Sequence, residues 1–471
     1  MKTPICDFVR KYAESGTVRM HMPGHKGRGP LGIEALDITE ISGADALYEA
    51  SGIIAESERN AAELFGTEAT FYGTEGSSQM IRAMLYLAGQ WARARGKSGR
   101  IMILAARNVH KSFIQACALL DYDVEWLYGE EPGYLSCVIR PETLENLLKK
   151  AQEKAHRLPD AFFITSPDYL GKTADIRALA GICHRYDMPL FVDNAHGAYL
   201  HFLREPQHPM DLGADLCCDS AHKTLPVLTG GAYLHVGKAA EERQRSAGRQ
   251  DSAGFFAENA RSAQALFGST SPSYLVLQSL DSCNAVLSDG YREKLRDFVR
   301  KLDAVKEELC TSGIPVMDTE PLKLTIEAGK TGSGHSGTEL ARRLREYGIE
   351  CEYADSEHLV LMPGPENTDQ ELLRLREALL EICSEKGAFE AKAILPALSP
   401  AEQVLTIREA VFAPHETVPV REAVGRIAAS PTVSCPPAVP IVVSGERISE
   451  AAVQMMQHYG IETVEVTACD K

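Results

Sequence analysis

From about residue 70 onward, short apolar runs alternate with segments of helical periodicity, and this alternation is the strongest constraint on the fold. The strand candidates are RIMILA (100–105), DVEWLY (123–128), AFFITS (161–166), PLFVDNA (189–195), ADLCCDS (214–220) and AYLHVG (232–237). Helix-like segments at 77–95, 110–121, 141–157 and 175–187 interleave with them, each with apolar residues at helical spacing. Short buried strands separated by helices imply βαβ units. The expected class is therefore α/β, with a mostly parallel sheet covered on both faces. Ligands of such sheets bind beyond the carboxyl ends of the strands. Chemistry is therefore to be sought in the residues that follow each strand candidate.

The 471 residues are too many for one ordinary core, so two or three domains are expected. Residues 1–65 read as an N-terminal segment ending in an amphipathic helix, and 66–290 as the large α/β domain. The proline-free stretch 273–313 reads as one or two long helices crossing into a smaller α+β domain, 291–392. The proline-punctuated run AILPALSPAEQ (393–403) opens a C-terminal unit, 393–471. No internal repeat or low-complexity tract is evident.

The formal net charge of −16 disfavours nucleic acid and anionic membrane as partners and favours cationic ligands. No run approaches ~20 uninterrupted apolar residues, so no membrane-spanning helix is expected. Asp7, Arg10, Lys11 and Glu14 interrupt the opening residues, which lack a signal-peptide core. The twelve cysteines are scattered, in neither C-x-x-C nor zinc-ligand spacing. Together these features suggest a cytoplasmic protein with reduced thiols.

The strand ends carry a consistent chemistry. FYGTEGSSQM (71–80) puts Thr74, Gly76, Ser77 and Ser78 at a turn opening a helix, where backbone N–H groups and small hydroxyls bind a phosphate. An ordinary capped turn has the same look. ARNVHKS (106–112) presents His110 before a helix. VDNAHGAY (192–199) closes an apolar strand with Asp193, a buried carboxylate that needs a cationic partner. DSAHKTLPVLTGG (219–231) offers Ser220, His222 and Lys223 among small and apolar neighbours, so Lys223 is expected to be desolvated. A phosphate cradle, an aromatic ring, a buried aspartate and a lysine are what pyridoxal 5′-phosphate requires. Lys223 would link covalently to the aldehyde and Asp193 would pair with the pyridine nitrogen. Ser220 would add a phosphate donor, while His110 and Ala195 would pack on the two ring faces.

These motifs resemble the Orn/Lys/Arg decarboxylases, bacterial pyridoxal-phosphate enzymes with the aminotransferase-like fold type I. The resemblance runs through HMPGHKGRG (21–29), DITEISGADALYEASGII (37–54), FYGTEGSSQ (71–79), RNVHKS (107–112), SPDYLGKTADI (166–176), VDNAHGAY, DSAHKTLP (219–226), STSPSY (269–274) and CPPAVPIVVSGERI (435–448). It implies a homodimer or dimer-based oligomer, with HMPGHK and STSPSY helping to form the site, and a role in polyamine biosynthesis. The candidate catalytic residues are Lys223, His222, Asp193 and His110. The candidate cofactor-binding set is Thr74, Glu75, Gly76, Ser77, His110, Asp193, Ala195, His196, Ser220, His222, Lys223 and Thr270. No metal is expected: His21 and His25 flank Pro23 and Gly24, which break helical geometry, and no carboxylate is near in sequence.

The expected reaction is decarboxylation of arginine, lysine or ornithine to the amine and carbon dioxide, with Lys223 or His222 returning a proton. Glu446 and the acidic residues of IECEYAD (349–355) are candidate contacts for a cationic side chain. Four positions depart from the family pattern: Asn194 where Glu is common, Gly230 where Gln is frequent, Asp168 in SPDYLG, and the CPPAVP stretch. They bear on substrate identity rather than on cofactor use. Another fold type I reaction, transamination or elimination, is the alternative, as is a cofactor-binding homologue without turnover. A transaminase needs an arginine clamp, and Arg342, Arg343 and Arg345 read as a solvated helix face.

Overall fold

The computed structural model describes residues 1–130, 133–154, 157–238, 252–387, 398–430 and 437–468. The chain runs α1 (Pro4–Glu14), α2 (Ile53–Phe65), β1 (Ala69–Gly73), α3 (Gly76–Ala94), β2 (Met102–Ala106), α4 (Lys111–Leu120), β3 (Asp123–Leu127), α5 (Pro141–Glu153), β4 (Ala161–Thr165), α6 (Ile176–Arg185), β5 (Leu190–Asp193), β6 (Leu216–Asp219), α7 (Ala221–Thr224) and β7 (Ala232–Val236). There follow α8 (Ser252–Ala265), α9 (Tyr274–Ser288), α10 (Tyr291–Thr311), β8 (Leu324–Glu327), α11 (Gly337–Glu346), β9 (Tyr353–Ala354), β10 (His358–Leu361), α12 (Asp369–Ser384), α13 (Ile407–Phe412), β11 (His415–Pro419), α14 (Glu450–His458) and β12 (Thr463–Thr467). Two compact units result. One comprises Met1–Leu104, Pro141–Ser166 and Asp175–Arg292; the other comprises Ala105–Arg140, Pro167–Ala174 and Glu293–Lys471.

In the first unit the strand order is β1-β7-β6-β5-β4. β4, β5 and β6 are parallel, while β7 runs antiparallel to both β6 and β1. The strands are apolar along their whole length (Phe162, Phe163, Ile164, Leu190, Phe191 and Val192 are fully buried) because helices cover both faces. α3 supplies Met80, Ile81, Met84 and Leu87 to that core, and its Trp91 packs against Phe255 and Phe256 of α8. Register then fixes the site. Thr165 pairs with Asp193 and Asp193 with Cys218, so the carboxyl ends of β4, β5 and β6 finish level. Asp219 pairs with Tyr233, and Ala232 at the start of β7 pairs with Gly73 at the end of β1. The turn after β1 and the segment after β6 therefore emerge at one edge.

The second unit holds an antiparallel sheet of order β8-β10-β9, packed with α10, α11 and α12 around Leu309, Ile326, Leu344 and Leu379. Thr368 and Glu371 form a reciprocal capping box that starts α12. β11 and β12 form a two-stranded antiparallel ladder, near a core of Val442, Ile448, Met455, Met456 and Val466. The stretch 273–313 is two helices, broken at Asp289 and Gly290, the latter with φ +71°. Among the described residues no helix is long and apolar enough to cross a membrane.

Candidate active site

Lys223 lies on the single turn α7, immediately after β6. Its Nζ is 2.8 Å from Nε2 of His196, a buried residue in the turn after β5. With the lysine as donor, Nε2 of His196 accepts. The expectation of a desolvated lysine is not met, since Lys223 is exposed in the single chain. Its small and apolar neighbours face the protein, while its own side chain stands at the open edge of the sheet, where β6 ends.

Asp193 is 2 % exposed. Its Oδ1 accepts from one backbone N–H, of Ala195 at 3.2 Å, and from the weakly donating Cys218 thiol at 3.7 Å. Burial pushes this carboxyl up to about 6, against the opposing pull of Lys223 and the Ala195 N–H. Asp193 is thus an underserved anion at a strand end. The folded chain favours the protonated form, so the penalty is absent below about pH 4 and fully present above about pH 6. Asp193→Asn, a neutral isostere, is expected to stabilise the cofactor-free chain at pH 8 by on the order of 2 kcal/mol and to do nothing at pH 4. Thermal unfolding at the two pH values checks this.

Gly76 opens α3 with φ +71° and donates its N–H to Gly230 O at 2.8 Å. No side chain caps this helix, although Glu75 occupies the N-cap position. Ser220 Oγ donates to Ser77 Oγ at 2.9 Å, joining the turn after β6 to the α3 N-terminus. Glu75 instead accepts from the Ser269 N–H at 2.5 Å, which ties the STSPSY segment to this turn and leaves Thr270 exposed. Thr74 and Ala195 are half-buried beside these groups in sequence. His222 Nδ1 donates to Gly231 O at 3.0 Å, and burial lowers its basicity, so its imidazole is neutral with Nε2 as the acceptor. His110 belongs to the second unit, where it caps α4 by accepting the Ser112 N–H at 3.1 Å.

One model of the Orn/Lys/Arg decarboxylase major domain matches residues 3–319, and one of the C-terminal domain of the same enzymes matches 384–464. The chain belongs to the Orn/Lys/Arg decarboxylase family. It is 29% identical to an arginine decarboxylase of Bacillus subtilis, an alignment covering 95% of this chain and 92% of that one. In structure it is similar to a lysine decarboxylase from Francisella novicida, with TM-score 0.78 and 18% identity over 99% of this chain and 81% of that one. The constitutive lysine decarboxylase of E. coli gives TM-score 0.74 and 18% identity over 98% and 80%. Like its family, the chain is a pyridoxal-phosphate-dependent decarboxylase of fold type I. The residues present suit that cofactor: an uncapped helix N-terminus with two hydroxyls for a phosphate, an underserved buried carboxylate for a cationic ring nitrogen, and a primary amine for an aldehyde.

Several departures from the family pattern now have physical reasons. Gly230 has φ +97°, and a Cβ there would sit 2.7 Å from Thr74 O, so no glutamine fits this backbone. Asn194 donates through Nδ2 to Asp219 Oδ1 at 2.7 Å. Asp168 is buried in the second unit, where it accepts from Ser136 Oγ at 2.5 Å and the Lys172 N–H at 2.9 Å. Burial pushes it up to about 6, against Ser136, the Lys172 N–H and Lys323.

Glu446 is a correction too. It is neither a substrate contact nor a solvated charge, being 2 % exposed and paired with buried Arg107 at 3.0 Å. Of the IECEYAD acids, Asp355 is taken up by the Glu357 and His358 N–H groups, and Glu350 pairs with Arg345. Arg342 and Arg343 pair with Glu339, Glu346 and Glu385; Arg342 and Arg345 are exposed as expected, whereas Arg343 is mostly covered. His25 does have a carboxylate nearby: Asp37, twelve residues on, at 3.1 Å. His21 bonds Tyr12 instead, at 2.6 Å. Sequence reasoning missed Asp219, which lies with His208 and His235 beneath the site. The signal was present, because Asp219 closes an apolar strand as Asp193 does.

Proposed function

We propose that this chain decarboxylates a basic amino acid, arginine first, through pyridoxal phosphate held at Lys223. The observation that carries the reading is the pairing of the Lys223 amine with His196, 2.8 Å away, at the same sheet edge as buried Asp193. The arginine assignment is supported by the relatives named arginine decarboxylase at 26–29% identity.

When bound, the cofactor supplies an electron sink for the bond to the departing carboxylate. Ser77, Ser220 and the α3 N–H groups that follow Gly76 would hold its phosphate, with Thr74, Glu75 and Gly76 shaping that turn. Asp193 keeps a proton on the ring nitrogen. Ala195 and His196 line the turn that follows, and His196 holds the Lys223 amine in place. Lys223 Nζ returns the proton that replaces carbon dioxide. His222, tied to Gly231, orients that helix turn and offers Nε2 as an alternative acceptor. His110 and Thr270 keep the roles the resemblance implies, tested singly by alanine replacement. The domain limits 1–65, 66–290, 291–392 and 393–471, a cytoplasmic location and a place in polyamine biosynthesis belong to the same reading. Free thiols at all described cysteines support the reducing compartment.

The test is incubation of cofactor-loaded protein with arginine, lysine and ornithine, and identification of the product. Agmatine with equimolar carbon dioxide supports the reading. A keto acid would indicate transamination, and a yellow protein without product would indicate a non-catalytic homologue.

A homodimer is part of the proposal. The segment 17–33 exposes Val18, Met20, Met22, Leu31 and Ile33, with Met20 88% exposed. So much apolar surface in one segment is typical of an interface. Met20→Asp with Met22→Asp is expected to shift the mass seen by light scattering from dimer to monomer; an unchanged mass would remove this surface from the interface.

A further inference from the structure

Asp219 is fully buried and faces a ring of hydrogen-bond donors. Its Oδ2 accepts from His208 Nε2 at 2.9 Å and His235 Nε2 at 3.1 Å. Its Oδ1 accepts from Asn194 Nδ2 at 2.7 Å, with the Cys217 thiol at 3.6 Å. His208, Cys217 and Asp219 are close enough to suggest a metal site. The tautomer argues otherwise: His208 Nδ1 accepts the Met210 N–H at 3.3 Å, so Nε2 carries the proton and points at the carboxylate. A metal-ligating histidine has the opposite arrangement, with the second nitrogen donating. His235 is oriented the same way, its Nδ1 lying 2.8 Å from Thr70 Oγ1. The centre is thus one carboxylate ringed by donors.

Its place in the fold gives it leverage. Asp219 immediately precedes Ser220 and the turn bearing Lys223. Asn194 immediately follows Asp193 and opens the turn bearing His196, closed by Gly197 N–H to Asn194 O at 2.8 Å. A Cβ at Gly197 would fall 2.0 Å from Asn194 Oδ1, so this turn is built around the asparagine amide. One hydrogen bond, Asn194 to Asp219, therefore couples the two strand ends that carry the candidate residues.

We propose that Asn194 and Asp219 form a positioning pair that must hold one negative charge, and that this pair sets the geometry and electrostatics of Asp193, His196 and Lys223. The inference rests on the reading of Lys223 and Asp193 as cofactor-holding residues. Two carboxylates 2.7 Å apart in the core cannot both ionise. Two amides leave the histidine and strand-end donors without an anion. Exchanging the two residues keeps the charge, the bond between the pair and an acceptor for both histidines. In Asp219→Asn the Oδ1 atom can take the place of Oδ2 and accept from both histidines, while Nδ2 faces a carboxylate at 194. The buried Asp219 anion also counts among the groups that raise Asp193's proton affinity, so its charge is sensed at the candidate ring-nitrogen partner.

The experiment compares Asp219→Asn, Asn194→Asp and the double exchange with the natural chain. Thermal midpoints of the cofactor-free proteins are read first, then pyridoxal-phosphate affinity and the absorbance spectrum of the loaded forms. Each single variant is expected to lower the midpoint and to weaken cofactor binding about tenfold, as coupled neighbours do. The double exchange is expected to recover the midpoint and to bind within about threefold of the natural chain, with its spectrum restored. Additive losses in the double variant would overturn the proposal, as would single variants that bind the cofactor normally. The cofactor-free midpoints test the coupling even if Lys223 proves not to be the anchor. Full coupling in those midpoints, with cofactor binding unmoved in all three variants, would mark the pair as structural only and refute its link to the site.

Discussion

Lys223→Ala is expected to remove decarboxylation, lowering kcat by at least about three orders of magnitude, while leaving the fold intact. The structure separates these two effects unusually well. Lys223 is exposed and sits on one short turn, so its truncation removes no core packing and should leave stability within about 0.5 kcal/mol. His196, 2.8 Å from its Nζ, loses a donor at its edge but stays anchored in the turn after β5. Lys223→Arg should be as inactive as the alanine variant, because a guanidinium stays protonated and cannot act as the amine. The checks are carbon dioxide release, the absorbance of the loaded protein, and borohydride trapping followed by peptide mass at position 223. An adduct retained in Lys223→Ala would place the anchor elsewhere and overturn the reading. Lost activity together with lost fold would instead expose a structural lysine.

What the sequence made legible was decided by locality. β4, β5, β6 and β7 were readable because burial on both faces leaves uninterrupted apolar runs, such as Phe162–Ile164 and Leu190–Val192, that need no tertiary information. Asp193 was readable for the same reason, as a charge ending such a run. Its twin Asp219 obeyed the same rule and was overlooked, since its donors come from distant places: Asn194, His208 and His235. No spacing in the chain announces a partner set assembled by sheet register. Lys223 was misjudged in the other direction. Neighbours such as Ala221 and Leu225 are buried, but a residue on a single turn can face outward while both of them face in. The Gly230 departure was also opaque, because its reason is a carbonyl, Thr74 O, that lies more than 150 residues away in sequence and is brought near only by pairing of β1 with β7.

Glu446→Ala is expected to cost roughly 3–5 kcal/mol of stability, a loss that a substrate-contacting glutamate would not produce. Arg107 is 2 % exposed and donates to Pro440 O at 2.8 Å, Ile441 O at 3.0 Å and Glu446 Oε2 at 3.0 Å. Its guanidinium also lies over the Trp126 ring, 5.3 Å from the centroid. Glu446 in turn accepts the Val443 N–H at 2.7 Å. Removing the glutamate leaves a guanidinium buried with no carboxylate among its described partners, and leaves the Val443 N–H without its acceptor. Replacing both members by apolar residues, Arg107→Met with Glu446→Leu, should be milder than Glu446→Ala alone, since no uncompensated charge remains buried. Urea unfolding of the two variants tests the ranking. The KM for the amino acid decides the role: an ion pair that only holds the second unit together leaves KM unchanged in whatever fraction stays folded, whereas a contact to a cationic side chain would raise KM with little loss of stability.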